Sequence, residues 1–471
     1  MNSILELIRK TVVSDPSRTA YRSGNDSVSY SSLWNRAETG AEYLKRQGTS
    51  PVIVYGDKEI SVVVSIISCL MADRTYVPVS TNTPETRARR IIEATGSDLI
   101  LTDHNADIFG TDYCRVSDLE RFSDNAENKC DTDIAYIIFT SGSTGEPKGV
   151  PVSVDNLENF VRWISSLHPL CDYRNRIVFN QASFSFDLSV ADLYYSLCNG
   201  HTLTAAPGDL RERPEAALGA LACTNVAVMT PTFARFCLLY KEFSAESCHG
   251  LQCIYFCGET LDVITVRRLF RAFPELSIIN AYGPTEATSA VTAVGITPEM
   301  ADSTDILPVG IVDESAVSVS VEDGEIVLRG RSVFGGYQDG LSGGWFSENG
   351  VNGYRTGDLG EIRNGLLYCC GRKDRQIKYQ GYRIELDDIE RNLSIIEGIK
   401  DSAVVAKRNG DGTIKLIKAF VVTDGTPDSA AIRKKLQELI PGYMIPKTIS
   451  FIDALPVNAN GKTDRKELEK W

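Results

Sequence analysis

Between residues 140 and 149 the chain reads TSGSTGEPKG, which puts four hydroxyl side chains, three glycines and one lysine into ten positions. Small residues let successive backbone N–H groups turn inward around an anion, hydroxyls add donors, and a lysine adds a point charge. That is the chemistry of gripping phosphate oxygens, with Thr140, Ser141, Gly142, Ser143, Thr144, Gly145 and Lys148 as the candidate residues. It is not a Walker loop, because Gly145 is followed by Glu146 instead of Lys-Ser/Thr. A Gly/Ser linker is the bland alternative. Linkers seldom stand directly behind a buried strand, however, and the apolar run IAYIIF at 134–139 reads as one.

Other stretches offer reactive types in less telling company. Asp187 lies among aromatics in FSFD and fits either a buried carboxylate or a helix N-cap ahead of Leu188. NAYGPTE at 280–286 presents a ring, a hydroxyl and a carboxylate on a tight turn, while YRTGD at 354–358 and NANGK at 458–462 are turn-like. Lys462 by itself is an ordinary solvated lysine, and Cys257 by itself a packed thiol. Each motif alone is weak; their conjunction in one chain is not.

Positioning such groups calls for an α/β frame. Strands expected at 51–55, 98–102, 134–139, 176–180, 202–205, 226–229, 253–257 and 277–280 interleave with helices expected at 84–95, 155–168, 188–198, 214–223, 232–243 and 261–273. This rhythm predicts βαβ-built sheets with ligands gathered beyond the carboxyl ends of the strands, where the 140–148 loop, Gly258-Glu259 and 281–286 all fall. A glycine-dense stretch over 307–368 predicts a smaller all-β region, and the residues after 375 a compact α+β unit. The charged run Arg372-Lys-Asp-Arg375 is the natural break between the two.

Bulk properties exclude some functions. A chain of 471 residues exceeds a single core, so two or three domains are expected. A net charge of −13 argues against a nucleic-acid partner. No apolar run is long enough for membrane insertion, and the amino terminus reads as a short amphipathic helix instead of a secretory signal. Twelve scattered cysteines without a C-x-x-C pair, beside four histidines, fit no zinc pattern and suggest reduced thiols in a cytoplasmic protein.

Taken together, TSGSTGEPKG, FSFDLSV (184–190), NAYGPTEAT (280–288), YRTGD, GRKDRQIKYQGYRIE (371–385) and NANGK resemble the adenylate-forming superfamily of acyl-CoA synthetases, luciferases and amino-acid adenylation domains. Within it, QASFSFDLSVADLY (181–194), FCGETL (256–261) and AYGPTEATSAVTAV (281–294) look most like the ligases that load D-alanine onto a carrier protein. The resemblance implies an adenylation core over 1–371, a hinge at 372–375 and a mobile lid over 376–471. It implies two half-reactions, in which Mg·ATP converts a carboxylate to an acyl-adenylate and a phosphopantetheine thiol then displaces AMP.

By the same resemblance Glu286 would hold Mg²⁺, Thr285 would position the α-phosphate, and Lys462 would bridge carboxylate and phosphate in the first step. The nucleotide would meet the 140–148 loop, Gly258, Glu259, Asn280, Ala281, Tyr282, Gly283, Asp358 and Arg372. An aspartate at 187 would pair with a substrate ammonium. The side-chain pocket would comprise Leu188, Ala191, Val228, Met229, Tyr255, Cys257, Ala281, Ser289 and Ala290, uncharged and suited to an alanine-sized group, with Cys257 associated with the D-enantiomer. With no carrier domain apparent, the thiol is expected on a separate protein. Alternatives are a stand-alone adenylation enzyme for another small amino acid, an acyl-CoA synthetase, or a regulator that has lost catalysis. Met71-Ala-Asp-Arg74, Ser80 and the bulky Tyr255 depart from the pattern.

Overall fold

A computed structural model describes residues 3–121, 132–141, 147–205, 214–304, 306–340, 342–410, 413–423, 428–457 and 463–471. Its frame is two mainly parallel sheets. One has eight strands: Thr19–Ser23, Thr202–Ala205, Ile177–Asn180, Val226–Met229, Cys253–Phe256 and Ser277–Tyr282 run parallel in that spatial order, with antiparallel strands at both edges. The other has six, and its strand Ile134–Thr140 pairs in parallel with Tyr76–Val79 and antiparallel with Lys148–Ser153. Strands such as Val52–Tyr55 and Val226–Met229 are apolar throughout because helices cover both faces of such sheets. The helix Leu188–Cys198 is buried along its whole length in the main core.

Past residue 310 a six-stranded antiparallel sheet carries the 13-residue strand Val351–Arg363. YRTGD therefore lies in a strand and not in a turn. Its sequence resembles a turn because Gly357 bulges with φ +74°, while Tyr354, Thr356 and Asp358 alternate inward and are buried. A second revision concerns the helix expected over 232–243, which is only Pro231–Cys237. The run after 371 is ordered by its charges. Arg372 bonds Asp358 at 2.5 Å and Lys373 bonds Glu325 at 3.0 Å, whereas Arg375 bonds Glu390 at 2.8 Å in the following unit.

That unit has a three-stranded sheet, Ile399–Arg408, Ile414–Thr423 and Thr448–Phe451, packed on helices Leu386–Ser394 and Ser429–Leu439 around its own core. The hairpin Gln376–Tyr379/Tyr382–Glu385 precedes it. The departure at Arg74 has a packing role. The side chain is wholly buried and donates to the Leu44 and Gln47 carbonyls, closing the end of helix Tyr30–Leu44. Ser80, the second departure, bonds Asp57 at 2.5 Å. The described cysteines are free thiols, and no helix among the described residues is long and apolar enough to cross a membrane.

Candidate active site

Three strand ends and one hairpin converge on a single cleft of about 770 Å³, its open mouth included. Ile134–Thr140 delivers Thr140 and Ser141, Cys253–Phe256 delivers Cys257 and Gly258, and Ser277–Tyr282 delivers Gly283 and Thr285. Asp187, Leu188, Ser289, Asp358 and Arg372 complete the expected lining. This is the carboxyl-end placement that a parallel sheet dictates.

Asp187 occupies the N-cap position of helix Leu188–Cys198 yet caps nothing with its side chain. Its carboxylate instead accepts the Thr285 hydroxyl at 2.5 Å and faces the cleft. Burial raises its pKa, and the Thr285 hydrogen bond and the Lys378 charge partly offset that. At the other end, Tyr282 donates its hydroxyl to Asp358 at 2.6 Å, and Arg372 holds the second Asp358 oxygen at 2.5 Å.

Several expected residues stand behind the lining. Glu286 is fully buried, with both oxygens bonded by Arg383 at 2.6 and 2.7 Å and one by Tyr337 at 2.5 Å. Burial would raise its pKa, but the Arg383 charge and these hydrogen bonds override that and hold it at about 2. Lys148 lies 3.3 Å from the centroid of the Tyr337 ring, its pKa lowered by burial. Glu259 accepts backbone N–H groups of Thr232 and Gly381 at 2.9 and 2.7 Å, and Asn280 donates to the Pro308 carbonyl. Ala281, Ala290 and Val228 belong to the main core with Leu188 and Cys257.

Met229 is a correction. Strand side chains alternate faces, so it packs with Phe179, Ile254 and Phe256 on the far side of the sheet from Val228 and does not join the pocket. Gly142, Ser143, Thr144, Gly145 and Lys462 lie outside the described residues.

The hairpin contributes what the motif reading did not assign. Gln376, Lys378, Gly381 and Arg383 all line the cleft, as do Phe186 and Tyr443. Ser141 bonds the hairpin backbone through the Arg383 carbonyl at 2.9 Å, and Phe186 packs edge-on to Tyr382 at 4.5 Å, with Tyr382 stacked on Tyr443. A usable signal was present: QIKY and YRIE flank the two residues Gln380-Gly381, both at positive φ, which is hairpin-turn spacing. In an acidic protein the cleft lining thus carries three cations, Arg372, Lys378 and Arg383, beside two carboxylates, Asp187 and Asp358, with Glu286 just behind. That arrangement can neutralise phosphates while keeping a separate anchor for an ammonium.

Residues 8–338 match the AMP-binding enzyme family, and residues 388–462 match the AMP-binding enzyme C-terminal domain. The chain belongs to the AMP-binding enzymes. Among these it is 36% identical to the D-alanine–D-alanyl carrier protein ligase of Bacillus licheniformis, with 99% of each chain covered. It is 34% identical to the ligase of the same name from Bacillus cytotoxicus, covering 99% of this chain and 98% of the relative. The fold is shared with the Vibrio cholerae adenylation domain AlmE in complex with glycyl-adenosine-5'-phosphate, at a TM-score of 0.84 and 22% identity, covering 100% of this chain and 97% of that one. It is also shared with an NRPS protein containing adenylation and PCP domains, at a TM-score of 0.85 and 23% identity over 99% and 84%. As an AMP-binding enzyme the chain is an ATP-using, AMP-forming ligase.

Proposed function

We propose that this AMP-binding enzyme activates a small amino acid, D-alanine, and transfers it to a separate carrier protein. In the first step the amino-acid carboxylate attacks the α-phosphorus of ATP and pyrophosphate leaves. In the second, a phosphopantetheine thiolate attacks the acyl carbon and AMP leaves. Asp187 carries the reading: a half-buried carboxylate at a helix start that declines to cap, held by Thr285 and turned to the cleft, suits an ammonium and leaves a simple acid without a partner. Asp358 would accept ribose hydroxyls, a role supported by its position in the cleft lining, where Arg372 and Tyr282 hold it. The names of the full-length relatives support D-alanine and the carrier thiol.

Glu286 fits Mg²⁺, because a carboxylate kept ionised suits a hard cation. Arg383 competes for the same oxygens, so the metal requires the hairpin to withdraw. Asp374 is the pivot we assign within 372–375. Arg372 and Lys373 are tied to the sheets before it, and Arg375 to Glu390 after it. Motion about that point lets the residues beyond 376 present first Lys462 and then the hairpin.

The test is ATP–pyrophosphate exchange over both alanine enantiomers, glycine and simple acids, followed by acylation of a phosphopantetheinylated carrier protein. D-alanine should drive exchange and thioester formation, with coenzyme A a poor acceptor. Exchange supported by propionate at the rate for alanine would refute the reading.

A further inference from the structure

Buried hydroxyls almost always have a hydrogen-bond partner, so those without one point to what completes them. Among the described residues four hydroxyls, those of Ser289, Tyr255, Tyr136 and Ser196, are buried without a partner; Ser289 lines the cleft, Tyr255 and Tyr136 each stand two residues before a cleft residue, and Ser196 lies farther along helix Leu188–Cys198. Ser289 lines the cleft beside Asp187, Leu188 and Cys257 and is 2% exposed. Tyr255 is two residues before Cys257 and belongs with it, Leu188 and Val228 to the main core on that side of the sheet. Tyr136 likewise precedes the cleft residue Ile138 by two on the strand Ile134–Thr140.

The Ser289 hydroxyl is also held in place by its backbone. Thr288 and Ser289 both have left-handed φ, +60° and +70°, which a non-glycine residue keeps only where its surroundings impose it. They are imposed here: the Thr288 hydroxyl donates to the Ser332 carbonyl, the Cys257 thiol to the Ser289 carbonyl, and a Cβ on Gly283 would lie 2.5 Å from Ala290. No charged residue is among the side-chain pocket positions, so the group that satisfies these hydroxyls is neutral and small.

We propose that this end of the cleft is a hydroxyl-recognising subsite, and that the enzyme activates serine as efficiently as alanine of the same hand. The proposal rests on amino-acid activation as proposed above. A purely apolar pocket already penalises an added hydroxyl by about a hundredfold, whereas a pocket with hydrogen-bonding groups for it removes that penalty. Pyrophosphate exchange with D- and L-serine against D- and L-alanine decides the matter. The expected kcat/KM for serine is within tenfold of that for alanine of the same hand, or above it. Ser289→Ala and Tyr255→Phe should each lower the serine-to-alanine ratio by about tenfold. A wild-type serine value more than tenfold below alanine, or a ratio unmoved in both variants, overturns the subsite and leaves amino-acid activation standing. Exchange with no amino acid at all removes both.

Discussion

Replacing Arg383 by methionine tests whether Glu286 is held as a charge. Glu286 is fully buried, and its two shortest bonds to the guanidinium are 2.6 and 2.7 Å. Its pKa is lowered from 4.5 to about 2, burial being overridden by Arg383. At about 1.4 kcal/mol per unit that corresponds to about 3 kcal/mol of stability, in line with the roughly 3–5 kcal/mol lost when one partner of a buried pair is removed. Because the folded pKa is depressed, this contribution is complete above the unfolded value of 4.5 and is lost as pH falls towards 2. In the variant the carboxylate keeps the burial penalty without its counter-charge, so its pKa rises and acid relieves it. Urea unfolding without magnesium should therefore show a penalty of at least about 3 kcal/mol at pH 7 that shrinks as pH falls through the variant's raised pKa and on towards 2. Millimolar Mg²⁺ without nucleotide should restore part of it in the variant and leave the wild type unchanged. A penalty below about 1 kcal/mol, constant with pH and indifferent to Mg²⁺, would refute the account of Glu286 as an ionised group shared between arginine and metal.

Asp187→Asn should reduce alanine-dependent exchange by about 10²–10³-fold, the consequence of burying an ammonium without its partner; exchange within tenfold of wild type would contradict the anchor. In the wild type, burial raises the Asp187 pKa, so kcat/KM for the amino acid should fall on the acid side at a pH above the usual aspartate range. Lys462→Ala should slow pyrophosphate exchange by about 10²–10³-fold while sparing thiol transfer from preformed adenylate, and near-normal exchange would remove Lys462 from the first step. Asp358→Asn should raise KM for ATP by about 10–100-fold through lost charged hydrogen bonds, read by nucleotide titration in the same assay.

The order of strands and helices that supports the cleft is readable from local pattern. The apolar run before Thr140 and the helix over 188–198 lie where the residues predict them, because each is decided by its own composition and neighbours. Asp187 was ambiguous between cap and ligand for the same reason: the choice is made by Thr285, 98 residues away. The hairpin is the larger omission, although its turn was legible. Its registration pairs Ile377 with Ile384 and Lys378 with Arg383. Alternation sends the two isoleucines into the core of the carboxyl-terminal unit and the two cations into the cleft, and a slip of one residue would exchange them. Like charges directly opposite one another destabilise a hairpin unless something else compensates. Here Arg383 is neutralised by Glu286, and Lys378 lies 5.5 Å from the centre of the Tyr282 ring. The compensation comes from the larger domain: Glu286 and Tyr282, with Asp187 also acting on Lys378. On the motion proposed above, withdrawal of the hairpin would return its two cations to water but strip buried Glu286 of its counter-charge, so a cation at Glu286 is expected to stabilise the open arrangement.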